Sequence, residues 1–360
     1  MLRTSHFVLR TLLWPSVLLA GTFLLLWLTV KLAAPQQNSL HALSVLWNGA
    51  FGSLDALAST TARALILILY ALGITLSFRA GLLNIGAEGQ SRIGACLAAA
   101  VALSSLPGLE SLGVLGVVFV LLAGAFAGAL WSLIPGLLRE WRGVPEVIST
   151  LMLNFVALLF ARYLVSSPDL LRGQTIFQQS DPIADALQLK RWDLTDFHSA
   201  VWLAIPAVLL AHLVLFHTRF GFQLRATGLN QTAAEASGID TRRISLRTFA
   251  IAGALAGLAG AISLLARGRL EADPAYPDYG YMAIAVALMA NLKPLYVFPA
   301  AIVFAGLEVG TRAMEINAGV SHDVVYAIEG VIILAILIRG VQVLRKRAST
   351  EASAAQEAAS

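Results

Sequence analysis

The chain has 360 residues, of which 58% are hydrophobic and 13% charged, with a mean hydropathy of +0.76; this excludes a soluble globular enzyme and reads as a polytopic membrane protein. The formal net charge of +4 does not point to nucleic acid, because the basic residues gather in short loops between apolar runs, as cytoplasmic loops do. The single cysteine, Cys96, excludes an intrachain disulfide, and no metal-ligand spacing surrounds it.

In chain order, Arg3 and Arg10 precede an apolar run over Leu12 to Val30. It is long enough to span, and the following VKLAAPQQ lacks an A-x-A cleavage site, so it reads as an uncleaved first helix rather than a signal peptide. Ala34 to Thr61 is more polar and is expected on the outer face. Further spans are predicted over Ala62–Phe78, Ile93–Leu106, Val114–Leu138, Val147–Val165, Ala200–His217, Phe249–Ala266, Tyr281–Leu292, Val297–Val309 and Val324–Ile338. Two long polar segments interrupt them, Ser166 to Phe197 and Thr218 to Arg247, and a proline-bearing hairpin covers Arg267 to Tyr279.

The expected fold is therefore all-α and integral to the membrane, with about ten transmembrane helices, some broken or re-entrant. Residues 1–342 form one polytopic domain, and 343–360, rich in Ala, Ser and Glu, a disordered cytoplasmic tail. Starting the N-terminus inside and alternating, the inner side collects 16 of the 25 lysines and arginines, which puts both termini in the cytoplasm and 166–197 outside.

Two stretches carry the chemistry. The first is GLLNIGAEGQ, Gly81 to Gln90, between two apolar runs. A carboxylate and amides at membrane depth are costly unless they face partners or a cavity, and glycine-rich broken helix is tolerated only where protein or a hydrated path surrounds it. Asn84 and Glu88 are four apart and would share a helix face. Asn84, Glu88 and Gln90, with Asn154 in a later span, are candidates to line a substrate path. The competing reading is inter-helix hydrogen bonding, with Glu88 paired to Arg79 or Arg92. Glu308 and Glu329 also lie in apolar spans, where substrate contact and structural pairing are equally open.

The second is TRFGFQLRATGLNQTAAEASGIDTRRISLR, whose five arginines place it in the cytoplasm. A short Ala-rich helix ended by Gly238 fits its middle; it has too little apolar surface for a core and too little charge for a solvated face, and reads as a docking element. No lysine follows a glycine, so no phosphate-binding loop is present and ATP hydrolysis by this chain itself is excluded.

LRATGLNQTAAEASGID resembles the loop by which ABC-importer permeases contact their ATPase, and LLNIGAEGQ resembles a signature of the nucleoside-type branch. EVISTLMLNFVA, DYGYMAIAVALMANLKP and VVYAIEGVIIL are similar to that branch as well. The resemblance covers about Phe51 to Leu337 and is to the branched-chain/ribose/nucleoside (simple sugar) permease superfamily. Val144-Pro145, Arg63, Met282 and Asn291 depart from the branch's usual residues. The resemblance implies a permease subunit of an ATP-driven importer, with no cofactor of its own, in the inner membrane. It also implies a second homologous permease, a cytoplasmic ABC ATPase and an extracytoplasmic solute-binding protein as partners. Arg225, Gly228, Asn230, Ala233, Ala234 and Gly238 become the expected ATPase-coupling residues. Nucleosides are the implied substrate and simple sugars the alternative. An ion-coupled carrier is a further reading, which the small-residue docking loop disfavours.

Overall fold

The structure is a computed structural model and describes residues 31, 39–104, 108–174, 176–192, 197–272, 278–319 and 330. The predicted first span, the last span with Glu329, and the tail lie outside the described residues. Among the described residues every extended element is helical, and β-structure is limited to isolated bridges such as Gln179 with Glu271. The helices are α1 Ser39–Phe51, α2 Leu54–Arg79, α3 Ala87–Ala102, α4 Val114–Arg142, α5 Glu146–Ser166, α6 Ala204–His217, α7 Arg219–Leu229, α8 Gln231–Ala236, α9 Thr241–Arg267, α10 Tyr279–Met289 and α11 Pro294–Ala318.

Six of these segments are long and apolar enough to cross a membrane: α2, α4, α5, α6 with the 3-10 turn before it, α9 and α11. The all-α membrane class holds, and two predicted spans are short, α3 with 16 residues and α10 with 11. The more polar segment before the second predicted span is helical from Ser39. It forms α1 and the start of α2, where the Ala56 N–H donates to Ser53 Oγ (3.1 Å) and caps the new helix. The polar stretch 166–197 is tied down by backbone bonds from Ser180 N–H to Leu270 O and Ile183 N–H to Gly268 O, both 2.8 Å.

The described chain divides into two compact units, one within 61–305 and one joining the residues up to Thr60 with those from Gly306. In the larger unit α4, α5 and α6 turn Phe119, Leu122, Phe126, Phe155, Leu159 and Leu210 outward, each at least half exposed. So much outward apolar side chain is the mark of a lipid-facing surface. The helices α3, α4 and α9 close on one another through small residues. Gly124, Gly128 and Ser132 recur every four residues on α4, facing Gly253 and Gly257 on α9. A Cβ added at Gly257 would lie 2.2 Å from Gly124 O, and one at Gly94 of α3 would lie 2.4 Å from Gly257 Cα. Backbones this close gain dispersion contacts, which lipid-embedded helices need because lipid is as apolar as their side chains. Ser132 Oγ adds a bond to Phe249 O (2.6 Å).

In the smaller unit α1 packs on the later half of α11, again through glycine. A Cβ at Gly310 would sit 2.4 Å from Leu46 O, and one at Gly49 2.2 Å from the Ala313 Cβ. Thr60 Oγ1 donates to Ala50 O (2.8 Å) and fastens the start of α2 to the end of α1.

Candidate functional site

The glycine-rich stretch is an elbow. Helix α2 ends at Arg79, Gly81 turns the chain with φ +74°, and residues 82–86 run without regular secondary structure before α3 begins at Ala87. The turn needs a left-handed residue, which glycine supplies without steric cost. Glu88 and Gln90 thus belong to the first turn of α3, while Asn84 precedes it.

Non-helical backbone inside a bundle leaves N–H and C=O groups that helix geometry would have paired, and these must find partners. Helix α5 supplies them from one face, at Glu146, Thr150 and Asn154, spaced by four. The Leu83 N–H donates to Glu146 Oε1 (3.2 Å) and the Ile85 N–H to Thr150 Oγ1 (3.3 Å). The Gly89 N–H donates to Asn154 Oδ1 (2.9 Å), and Asn154 Nδ2 donates to Ile85 O (3.0 Å). Gly86, at the N-cap of α3, has no side chain, so a residue of another helix caps that first turn. Arg139 holds the base of the ladder, donating from Nε to Glu146 Oε2 at 3.2 Å.

The predicted path residues are therefore brought together, but with different exposures. Asn84 and Gln90 are 1% exposed and Asn154 7%. Asn84 Oδ1 accepts from the Gly86 N–H (2.9 Å) and from Gln90 Nε2 (3.1 Å), whereas Gln90 Oε1 is buried with no hydrogen-bond partner among the described residues. Glu88 reaches furthest. Its Oε2 accepts from the Gly280 N–H in the first turn of α10 (3.0 Å), and its Oε1 pairs with Arg92 at 3.3 Å. Arg92, not Arg79, is thus the partner of Glu88, and Arg92 Nε is a buried donor without a partner among the described residues.

The arginine-rich segment carries the expected short Ala-rich helix, α8, preceded by a second helix, α7. Thr218 caps α7 by accepting from the Gly221 N–H (3.1 Å) and Asn230 caps α8 by accepting from the Ala233 N–H (3.0 Å). Gly238, at φ +81°, ends the turn after α8, as its position predicts. Glu235 accepts from Thr241 Oγ1 (2.6 Å) and Gln231 Nε2 (3.1 Å), and these bonds hold its carboxyl below the usual carboxylate range. Arg225 lies over the Phe216 ring at 5.1 Å.

Among the six residues expected to couple to a partner, Gly228, Asn230, Ala233 and Gly238 are exposed and Arg225 is half-buried, but Ala234 is turned inward at 4% exposure. Gly228 has a packing role: a Cβ there would lie 2.1 Å from Arg79 O and 2.9 Å from the Ala80 carbonyl carbon. The helix pair thus presses its backbone directly on the elbow. Arg79 in turn donates from Nε to Leu292 O (2.9 Å) and from Nη2 to Asn291 O (3.2 Å), in the turn after α10. Sequence reasoning passed over Thr150, Gly280 and the ladder role of Glu146. The spacing of Glu146, Thr150 and Asn154 was visible, but its target, the non-helical backbone of the elbow, was not. Among the described residues no cluster of His, Cys, Asp or Glu could hold a metal ion.

Residues 56–337 match the family described as branched-chain amino acid transport system / permease component. The chain belongs to this permease family. It is 32% identical to the guanosine ABC transporter permease protein NupP of Bacillus subtilis (strain 168), over 81% of this chain and 83% of that one. It is 34% identical to the glucose ABC transporter permease protein TsgB13 of Haloferax volcanii, over 85% and 82%. It is 31% identical to the nucleoside ABC transporter permease protein NupB of Lactococcus lactis subsp. cremoris, over 84% of each. No solved structure matches the chain. The chain is accordingly a multi-pass membrane permease component, and the elbow and the α7–α8 pair lie within the matched residues.

Proposed function

We propose that this permease is the membrane subunit of an ATP-driven ABC importer and forms the translocation path for nucleosides. The observation that carries the substrate class is the pair of relatives named for guanosine and nucleoside transport, each aligned over more than four-fifths of both chains. The relative named for glucose supports a second reading, a simple-sugar permease. Uptake of labelled guanosine by cells carrying the complete system, with unlabelled glucose as competitor, separates the two. Guanosine uptake that glucose leaves unchanged is expected; uptake of labelled glucose with none of labelled guanosine would reverse the assignment.

The chain crosses the inner membrane about ten times, with α3 and α10 as short crossings and both termini cytoplasmic. ATP is hydrolysed by a cytoplasmic ABC ATPase, a second homologous permease completes the path, and a solute-binding protein delivers from outside; this chain has no enzymatic step and no cofactor. The ATPase docks on α7 and α8. Its contact is drawn from Leu229, 88% exposed at the end of α7, and the exposed Ala233 of α8. Ala233→Arg is expected to uncouple ATP hydrolysis from uptake with the melting temperature in detergent unchanged, since Ala233 is exposed. Full coupling in this variant would remove α8 from the docking surface.

Substrate passes Glu88, with Asn84, Gln90 and Asn154 shaping the path from behind. A carboxylate accepts from ribose hydroxyls and base N–H groups. Glu88→Gln keeps an acceptor for the Gly280 N–H but removes the charge that Arg92 faces. The expected outcome is guanosine uptake lowered at least about tenfold, with the melting temperature falling by only a few degrees. A large loss of stability with uptake per folded molecule intact would make Glu88 a structural partner of Arg92 alone.

A further inference from the structure

Helix α10 is clamped at both ends by the elbow. Its first turn carries a free N–H at Gly280, and its own N-cap, Asp278, makes no side-chain cap. Glu88 Oε2 takes that N–H at 3.0 Å. At the other end the chain passes through Asn291 and Leu292, with φ of +51° and +53°, and Arg79 holds both carbonyls. An acid at the N-terminus and a cation past the C-terminus are each the charge that the helix dipole favours. Left-handed backbone at Asp278, Asn291 and Leu292 costs of order 1 kcal/mol or more per residue and persists only where the surroundings impose it. For Leu292, which has no side-chain hydrogen bond to offset the strain, the Arg79 bond is part of what imposes it.

The two clamp residues are nine positions apart in the chain, and the intervening elbow runs the length of α10, whose 11 residues rise about 16 Å. Arg79 also carries the carbonyl on which Gly228 rests, so that no side chain fits between α7 and the end of α2. One residue therefore touches the helix pair with its backbone and α10 with its guanidinium. A chain of direct contacts runs from α7–α8 through Arg79 to α10, and from the far end of α10 to Glu88.

We infer that Arg79 is a positioning residue of transport: it couples displacement of the cytoplasmic helix pair to α10, and through Gly280 to Glu88. The inference rests on the ATPase-docking and path readings above. It goes beyond them in naming the joint between the two sites and in making α10, not the elbow alone, the moving element. Lysine can bond one carbonyl but not hold two in the planar geometry of a guanidinium, and methionine holds neither.

The test uses the complete transporter in proteoliposomes, with guanosine uptake and ATP hydrolysis measured on the wild type, Arg79→Lys and Arg79→Met. The expected result is a maximal uptake rate lowered at least about tenfold in Arg79→Met with KM for guanosine changed less than about twofold. ATP hydrolysis continues but loses its stimulation by substrate-loaded binding protein, and Arg79→Lys is intermediate. Uptake and stimulation unchanged in Arg79→Met would overturn the inference. So would a fall in melting temperature that accounts for the lost uptake, with KM and stimulation normal in the folded fraction. If Arg79→Met does not assemble, Arg79→Lys with normal stimulation overturns it equally. Failure of the underlying readings is separate. Wild type that takes up glucose but not guanosine refutes the substrate class, and Arg79 is then read from glucose uptake. Ala233→Arg with normal coupling refutes the docking site whatever Arg79 does.

Discussion

Gly257→Val is expected to prevent assembly of the bundle or to cost about 3 kcal/mol or more of stability, the upper end of overpacking effects. The reason is that the obstructing atoms are backbone: the first added carbon already lies 2.2 Å from Gly124 O and 2.9 Å from Gly128 Cα. No rotamer change relieves such a contact, so α4 and α9 must separate, and the Ser132 to Phe249 bond is lost with them. Gly143→Ala provides the comparison. That glycine has φ +65° and nothing within 4 Å of an added Cβ, so it costs only the left-handed backbone penalty of about 1–2 kcal/mol. Melting temperatures in detergent check the pair; a Gly257→Val protein as stable as Gly143→Ala would show that α4 and α9 do not meet this closely.

Asn154→Leu is expected to be the most damaging isosteric change in the elbow's support. It leaves the buried Gly89 N–H and the half-buried Ile85 C=O without their side-chain partners. At about 1–3 kcal/mol for each orphaned group, the loss is about 2–6 kcal/mol. Thr150→Val orphans only the Ile85 N–H and should cost about half as much, about 1–3 kcal/mol. Hydrogen exchange of the Gly89 and Ile85 amides in purified protein reads the same effect locally. Protection lost at Gly89 in Asn154→Leu and at Ile85 in Thr150→Val is the expected pattern. If both variants melt like the wild type, the ladder does not hold the elbow. The order of the two also separates support from path lining, because a path residue would change uptake before it changed stability.

The sequence by itself determined the class of protein and the position of most helices. Apolar runs of 18 or more residues need no tertiary information to be read as spans, because the bilayer enforces their length and closes their hydrogen bonds within the helix. It also placed the short Ala-rich helix: Gly238 is a local signal, a left-handed stop, and it acts where the residues alone put it. What the sequence could not decide was which polar residues face a solute and which face the protein's own backbone. Asn154 reads the same in either role, and only the path of residues 82–86 beside α5 shows that its amide closes two backbone groups. Glu88 had two arginines within reach along the chain; the turn of α3 gave it Arg92, and the elbow sent Arg79 to the carbonyls of Asn291 and Leu292. Gly228 looked like a surface residue of a docking loop because its only signal was smallness. Smallness serves a flexible turn and a backbone contact equally, and the approach of Arg79 O, more than a hundred residues away in sequence, decides between them. Helix periodicity and caps are properties of neighbours in the chain and can be read there. A hydrogen bond between distant segments is fixed by how the helices pack, and packing is settled only when the whole bundle has formed.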